Sequence, residues 1–272
     1  MRIASLCPSN TELLEYLGLS DSVVGVDNYS DWPENTKRLP RLGPDLDIDM
    51  DALEALRPDL VVASLSVPGM EKNIAGLKER GLSHIVLNPN SLGDIGQTML
   101  QIGEATDTLV RAKTAYHKYK ESLDFYAELS STIADRPTLY WEWWPKPVFT
   151  PGGANWLTEI SELAGARNVY EDHTAASVQT DWDDVLTRNP DYILLAWVGI
   201  QPHLVKPDTV RQRPGSSKLQ AVQQNQIHVM EEPLYCRPSP RLFLGLQKLA
   251  SILHPEVFPA YDSAKWENRY AD

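Results

Sequence analysis

The chain is short of phenylalanine, of cysteine, of positive charge and of long apolar runs. Only 4 of its 272 residues are Phe, against 8 Trp and 11 Tyr. Phe is the wholly apolar aromatic of cores, whereas Trp and Tyr carry a polar atom and favour half-wet surfaces and ligand sites. Two cysteines, Cys7 and Cys236, are too few for a disulfide framework, and the sequence leaves their pairing open. No stretch approaches the roughly 18 apolar residues of a membrane-spanning helix. Lys+Arg is 25 against 37 Asp+Glu, a formal charge of −12. Without a basic run, such a chain is a poor grip for nucleic acid phosphates or for an anionic membrane.

Catalytic signatures are missing as well. There is no G-x-x-x-x-G-K-[ST] loop, no G-x-G-x-x-G after the first apolar run, no H-E-x-x-H and no G-x-S-x-G. The six histidines (His84, His117, His173, His203, His228 and His254) lack metal-ligand spacing. Glu231 and Glu232 are adjacent, so on a strand end they point to opposite faces and do not make a catalytic pair. The expectation is a binding protein: no enzyme, no cofactor and no metal.

What is present is an internal repeat. Thr11-Glu12-Leu13-Leu14-Glu15-Tyr16-Leu17-Gly18 returns as Thr158-Glu159-Ile160-Ser161-Glu162-Leu163-Ala164-Gly165, each a short helix closed by glycine. Ser9 and Glu12 have capping-box spacing. A second pair follows in the same order. Leu56-Arg57-Pro58-Asp59 leads into Leu60-Val61-Val62-Ala63, and Arg188-Asn189-Pro190-Asp191 leads into Tyr192-Ile193-Leu194-Leu195. Proline stops each helix and a continuous apolar run follows, as in a strand buried on both faces.

Strands are expected at 2–6, 22–26, 60–63 and 84–87, then at 138–143, 192–197 and 227–230, with helices at 70–80 and 241–253 among others. The fold class is α/β: two Rossmann-like lobes with parallel sheets, joined by one long rigid helix. Ala105, Leu109, Ala112, Tyr116, Tyr119, Leu123 and Tyr126 form one helical stripe within 92–134. The segments are an N-terminal lobe (1–91), a bridging helical segment (92–136) and a C-terminal lobe (137–272). Gly103 is the one hinge candidate near the start of the bridge.

Open α/β sheets bind ligands beyond the C-terminal ends of their strands. Those ends hold Pro8, Ser9 and Asn10, then Tyr29 and Trp32, then Ser64 and Ser66. The second lobe offers Trp143, Trp144, Trp156, Trp197, Glu232, Tyr235, Cys236 and Arg237. Six of the eight tryptophans fall in such segments, which suits a flat, partly apolar ligand held by stacking. Trp141 and Trp143 share a strand face, so at least one is core. The pair Gly152-Gly153 reads as a tight turn.

Ile3-Ala4-Ser5-Leu6-Cys7-Pro8-Ser9-Asn10-Thr11-Glu12, Tyr29-Ser30-Asp31-Trp32-Pro33, Phe149-Thr150-Pro151-Gly152 and Arg237-Pro238-Ser239-Pro240-Arg241 carry a resemblance. Over essentially its whole length the chain resembles the substrate-binding proteins of ABC importers for vitamin B12 and ferric siderophores, the cobalamin branch above all. The resemblance implies a corrinoid held between two lobes and delivered to a membrane permease. Tyr29 matches an aromatic of the ligand site, Trp143 or Trp144 falls near another, and 234–237 matches a contacting loop. Ser64 departs from a Trp of the cobalamin branch, and Cys236 from an acidic residue. Glu71 matches a permease-docking acid, and Asp208 lies near the second. Haem or a ferric siderophore is the alternative, with His173, Tyr235 or Cys236 as an axial donor for haem. A cytoplasmic corrinoid-handling protein is another. Residues 1–8 are too short for a signal peptide. The expected location is periplasmic or at the cell surface if an export signal precedes Met1, and cytoplasmic if Met1 is the native start. A monomer is expected.

Overall fold

A computed structural model describes residues 1–261. The chain divides into two compact units: Met1–Glu121 with Pro238–Pro240, and Ser122–Arg237 continued from residue 241.

The first unit opens with β1 (Ile3–Ser5), α1 (Pro8–Tyr16) and β2 (Val23–Val26). Then come α2 (Met50–Ala55), β3 (Leu60–Ser64), α3 (Glu71–Glu79) and β4 (His84–Leu87). The strands form one parallel sheet in the order β2-β1-β3-β4. Ile3 pairs with Val23 and Leu60, and Val61 with His84. Ala4, Leu6, Leu42, Leu53, Val61 and Leu77 belong to one core cluster of this unit. That is why the strands read as unbroken apolar runs. α1 ends where Gly18 takes a positive φ of 65°, as the closing glycine predicts. The Ser9–Glu12 capping box does not form. Extended Cys7 holds the N-cap position, Pro8 supplies the first turn, and both Ser9 and Glu12 are buried. Glu12 instead accepts a hydrogen bond from Ser239 Oγ, in the short return segment of this unit.

The expected single helix over 92–134 is two helices, α4 (Leu92–Ala105) and α5 (Leu109–Ser131). Ser91 and Asp94 form a capping box at the start of α4. Between the helices Asp107 sits at φ 57°, which ends α4 without glycine or proline. The helices then run back along each other. A Cβ on Gly96 would lie 2.8 Å from the Tyr116 ring, and one on Gly103 would lie 2.4 Å from Ala112 Cβ. Gly103 is therefore a close-packing residue of a helical hairpin and not a hinge. Replacing Gly103 with alanine is expected to cost about 1–2 kcal/mol, overpacking outweighing the gain in helix propensity. Adding Ala112→Gly should restore part of it. Urea melts of the two variants check this.

The second unit takes up the last turns of α5 and then repeats the first. Its elements are β5 (Thr138–Glu142), β6 (Trp144–Pro145), β7 (Val148–Pro151), α6 (Trp156–Leu163) and β8 (Arg167–Asn168). They continue with β9 (Ser177–Thr180), α7 (Trp182–Arg188), β10 (Tyr192–Leu195), α8 (Asp208–Arg211), α9 (Gln220–Gln223) and β11 (Ile227–Val229). α10 (Glu232–Tyr235) and α11 (Leu242–Leu253) follow. The main sheet is parallel, in the order β11-β10-β5-β8. Each main sheet has the same plan. The second strand flanks the first on one side, the third flanks it on the other, and the fourth adds outside. β5, β8, β10 and β11 thus answer to β1, β2, β3 and β4, so the sequence repeat is a repeat of topology. An antiparallel sheet, β6-β7-β9, is the second unit's own.

Candidate functional site

In both units the strand order reverses beside the first strand, which is where open α/β sheets place ligands. In the first unit the reversal lies between β1 and β3. On the other side of β1, at the C-terminal ends of β1 and β2, the hydroxyls of Ser5 and Thr11 are 2.7 Å apart, and those of Thr11 and Ser30 are 2.7 Å apart. Ser30 Oγ in turn donates to Asp27. Asp27 is wholly buried just beyond β2, and its second oxygen accepts the Tyr29 N–H at 2.7 Å. Arg41 Nη1 donates to the main-chain oxygens of Asp27 and Ser30 at 2.9 and 2.7 Å. Burial pushes the Asp27 carboxyl up to about 6, against the lowering effect of the Ser30 and Tyr29 hydrogen bonds. This polar pedestal fixes the backbone at Tyr29, a residue that remains 54% exposed. Trp32 is half-buried in the same loop.

Other first-unit candidates divide by burial. Pro8 and Ser66 are partly accessible, and Ser64 is buried. Ser64 Oγ donates to Ser66 Oγ at 2.9 Å. Ser9 is buried with its hydroxyl 3.2 Å from Cys7 Sγ, and burial pushes the Cys7 thiol up to about 11. Asn10 is 1% exposed, and its side chain donates to Val62 O at 3.0 Å and ties α1 to β3. Both cysteines are free thiols.

In the second unit the reversal lies between β5 and β10, and a charged group the sequence reading passed over occupies it. Glu142, the last residue of β5, is wholly buried. It accepts a fork from Arg213 (Nη1 at 2.5 Å, Nη2 at 2.7 Å), the Tyr140 hydroxyl at 2.8 Å and the Trp197 indole N–H at 3.1 Å. The Arg213 guanidinium lies 4.6 Å from the centre of the Trp182 ring. Burial and the neighbouring Glu142 charge push the Tyr140 hydroxyl well above its ordinary value, so it stays a donor. One signal for this cluster was present: an acid inside the aromatic run Tyr140-Trp141-Glu142-Trp143 must be paired if the run is buried. Beside the cluster opens a cavity of about 730 Å³, bordered by Trp182, Trp197, Arg213 and Lys146 among others.

Two aromatic candidates, Trp156 and Tyr235, are buried. Trp156 is 9% exposed and donates to Tyr235 O at 2.8 Å. Tyr235 is wholly buried and donates its hydroxyl to Gly245 O at 2.9 Å. Both lock α6, α10 and α11 together. Trp143 is half-buried, and its indole N–H meets no acceptor among the described residues. Trp144 is 41% exposed and donates to Lys146 O. Trp141 is the core member of the pair. Cys236 donates to Ala196 O at 3.4 Å, and burial holds its thiol well above the ordinary range. Glu232 and Arg237 form an ion pair at 3.1 Å. Glu71 and Asp208 are exposed on α3 and α8, and Asp208 pairs with Arg211 at 2.8 Å.

Gly152 and Gly153 are needed for close approach and not for a turn of special φ. A Cβ on Gly152 would lie 2.1 Å from Ala175 O, and one on Gly153 would lie 2.6 Å from Glu171 O. The loop they admit includes His173, whose Nε2 lies 3.1 Å from Arg188 Nη2.

The sequence profile of the periplasmic binding protein family matches residues 3–234. The chain belongs to that family. The chain is 29% identical over 262 residues to the uncharacterized ABC transporter substrate-binding lipoprotein YvrC of Bacillus subtilis (strain 168), covering 94% of this chain and 81% of that one. It is 25% identical over 240 residues to the vitamin B12-binding protein of Vibrio parahaemolyticus serotype O3:K6 (strain RIMD 2210633), covering 88% and 84%. Among solved structures, the periplasmic heme-binding protein RhuT of Roseiflexus sp. RS-1 superposes with a TM-score of 0.82 at 21% identity, covering 93% and 98%. That likeness shows the fold. Ligand capture for an ABC importer is the work of the family.

Proposed function

We propose that this protein captures a corrinoid for an ABC importer, outside the cytoplasm, and performs no chemistry on it. The observation that carries the reading is Tyr29. An exposed aromatic ring is set on a buried, hydrogen-bonded backbone at the end of β2, in the segment that resembles the cobalamin branch. Pre-fixed aromatics bind flat ligands at low ordering cost. On the first unit Trp32 and Pro8 would add apolar contact and Ser9, Ser64 and Ser66 polar contact; on the second unit Trp143, Trp144 and Trp197 would offer apolar surface and Glu232, Cys236 and Arg237 polar groups. Glu71 and Asp208 would meet the permease, with the protein acting as a monomer. The relationship to vitamin B12-binding proteins supports the choice of ligand.

Calorimetric titration with cyanocobalamin tests it. Binding at about 10 µM or tighter is expected, and Tyr29→Ala should weaken it about tenfold, the scale of one aromatic contact. No heat at tens of micromolar ligand removes the corrinoid reading. Haem would need an axial donor. Tyr235 and Cys236 are engaged within the second unit, and His173 lies against Arg188. A Soret band that develops on adding haemin would favour haem instead.

A further inference from the structure

The cavity of the second unit is not accounted for by the corrinoid reading, which draws on Trp197 alone among its walls. Its volume of about 730 Å³ is that of a small-molecule site. Flat apolar groups border it: the indoles of Trp182 and Trp197 and the rings of Pro145, Pro147 and Pro214. Both indoles pack against the buried core of Tyr140, Ile193 and Leu195, so the walls are held from behind. Trp182 Nε1 donates to Pro214 O at 2.9 Å and Trp197 Nε1 donates to Glu142 at 3.1 Å. Neither ring is therefore free to turn, and what they show the cavity is apolar surface.

The charges at the cavity are unequal in their commitments. Arg213 is neutralised by the fork on Glu142. Asp181 accepts the Asp184 N–H at 2.9 Å as the cap of α7. Lys146 has no acidic partner among the described residues, and it stands between Pro145 and Pro147. The proline on either side restricts its backbone. An uncommitted cation beside rigid flat walls asks for a flat molecule with one negative group.

We infer that this cavity is a second ligand site, for a small aromatic carboxylate whose ring lies against the indole and proline walls and whose carboxylate meets Lys146. It does not rest on corrinoid capture, although Trp197 serves both readings.

The test uses the full chain and the probe 2-naphthoate, with naphthalene-2-carboxamide as the uncharged match, followed by tryptophan fluorescence and calorimetry. The acid is expected to bind about two- to fivefold more tightly than the amide, the range of an exposed ion pair worth up to about 1 kcal/mol. Lys146→Gln, on the surface, should remove that preference without affecting the amide. Trp182→Ala should abolish binding of both. If Trp182→Ala does not fold, the Lys146→Gln comparison still decides. Equal binding of acid and amide, or a preference that survives Lys146→Gln, overturns the inference. If cyanocobalamin fails to bind at all, the corrinoid reading fails while the naphthoate comparison is unaffected.

Discussion

Replacing Arg213 with alanine is expected to lower the stability of the protein by about 3–5 kcal/mol, because it strips the counter-charge from a carboxylate buried at the end of a central strand. Glu142 has no exposed surface, so water cannot take over from the guanidinium. The Tyr140 hydroxyl and the Trp197 indole would remain as donors. Neutral donors offset only part of the cost of a buried charge. The cation also packs on Trp182, so its loss empties space beside that ring. Glu142→Gln should cost a similar amount by orphaning the guanidinium. Combining Glu142→Gln with Arg213→Met should recover most of the loss, since no unpaired charge is left and the amide oxygen still accepts from Tyr140 and Trp197. Urea unfolding of the three variants gives the comparison. An Arg213→Ala protein within about 1 kcal/mol of the parent would show that water reaches Glu142 after all.

The second large effect is one of pH. Asp27 titrates near 6 in the folded protein and near its ordinary 3.8 when unfolded. The fold therefore favours the protonated acid. Its stabilising contribution is complete below about pH 4 and is lost as the pH rises through 6. Two pH units correspond to about 2–3 kcal/mol. Asp27→Asn cannot titrate. Its stability relative to the parent should thus rise by about that amount between pH 4 and pH 7, whatever the fixed cost of losing one acceptor oxygen. Denaturant melts of both proteins at the two pH values read this directly. A constant difference would mean that the carboxyl is charged throughout, its burial compensated by Ser30 and Tyr29.

Most of the architecture was legible because both main sheets are parallel and covered on both faces. Such strands announce themselves as apolar runs, and the expected 84–87 is β4 residue for residue. The repeat was legible for the same reason, with glycine and proline marking corresponding ends. The break at 106–108 was not, because Asp107 takes the left-handed conformation that glycine usually signals, and the stripe of Ala112, Tyr116 and Tyr119 continues the pattern across it. The antiparallel sheet was hidden by its brevity: β6 is two residues long and includes a proline. At the site, exposed Tyr29 could be picked out from the motif around it. Arg213 could not, for its partner is 71 residues away and only the folded chain brings them together. The burial of Trp156 and Tyr235 was not legible, because an aromatic at a strand end serves equally to face a ligand or to fill the space under it.

The small antiparallel sheet has one more consequence. A sheet with open edges can recruit a strand from another molecule through its unpaired N–H and C=O groups. β6 is an edge strand, being paired only to β7 in the order β6-β7-β9. Pro145 lies within it and Pro147 stands two residues further on, and neither has an N–H to offer an incoming strand. The prolines that flank Lys146 thus also cap that side of the sheet, so that strand-by-strand aggregation of the folded protein has no template there.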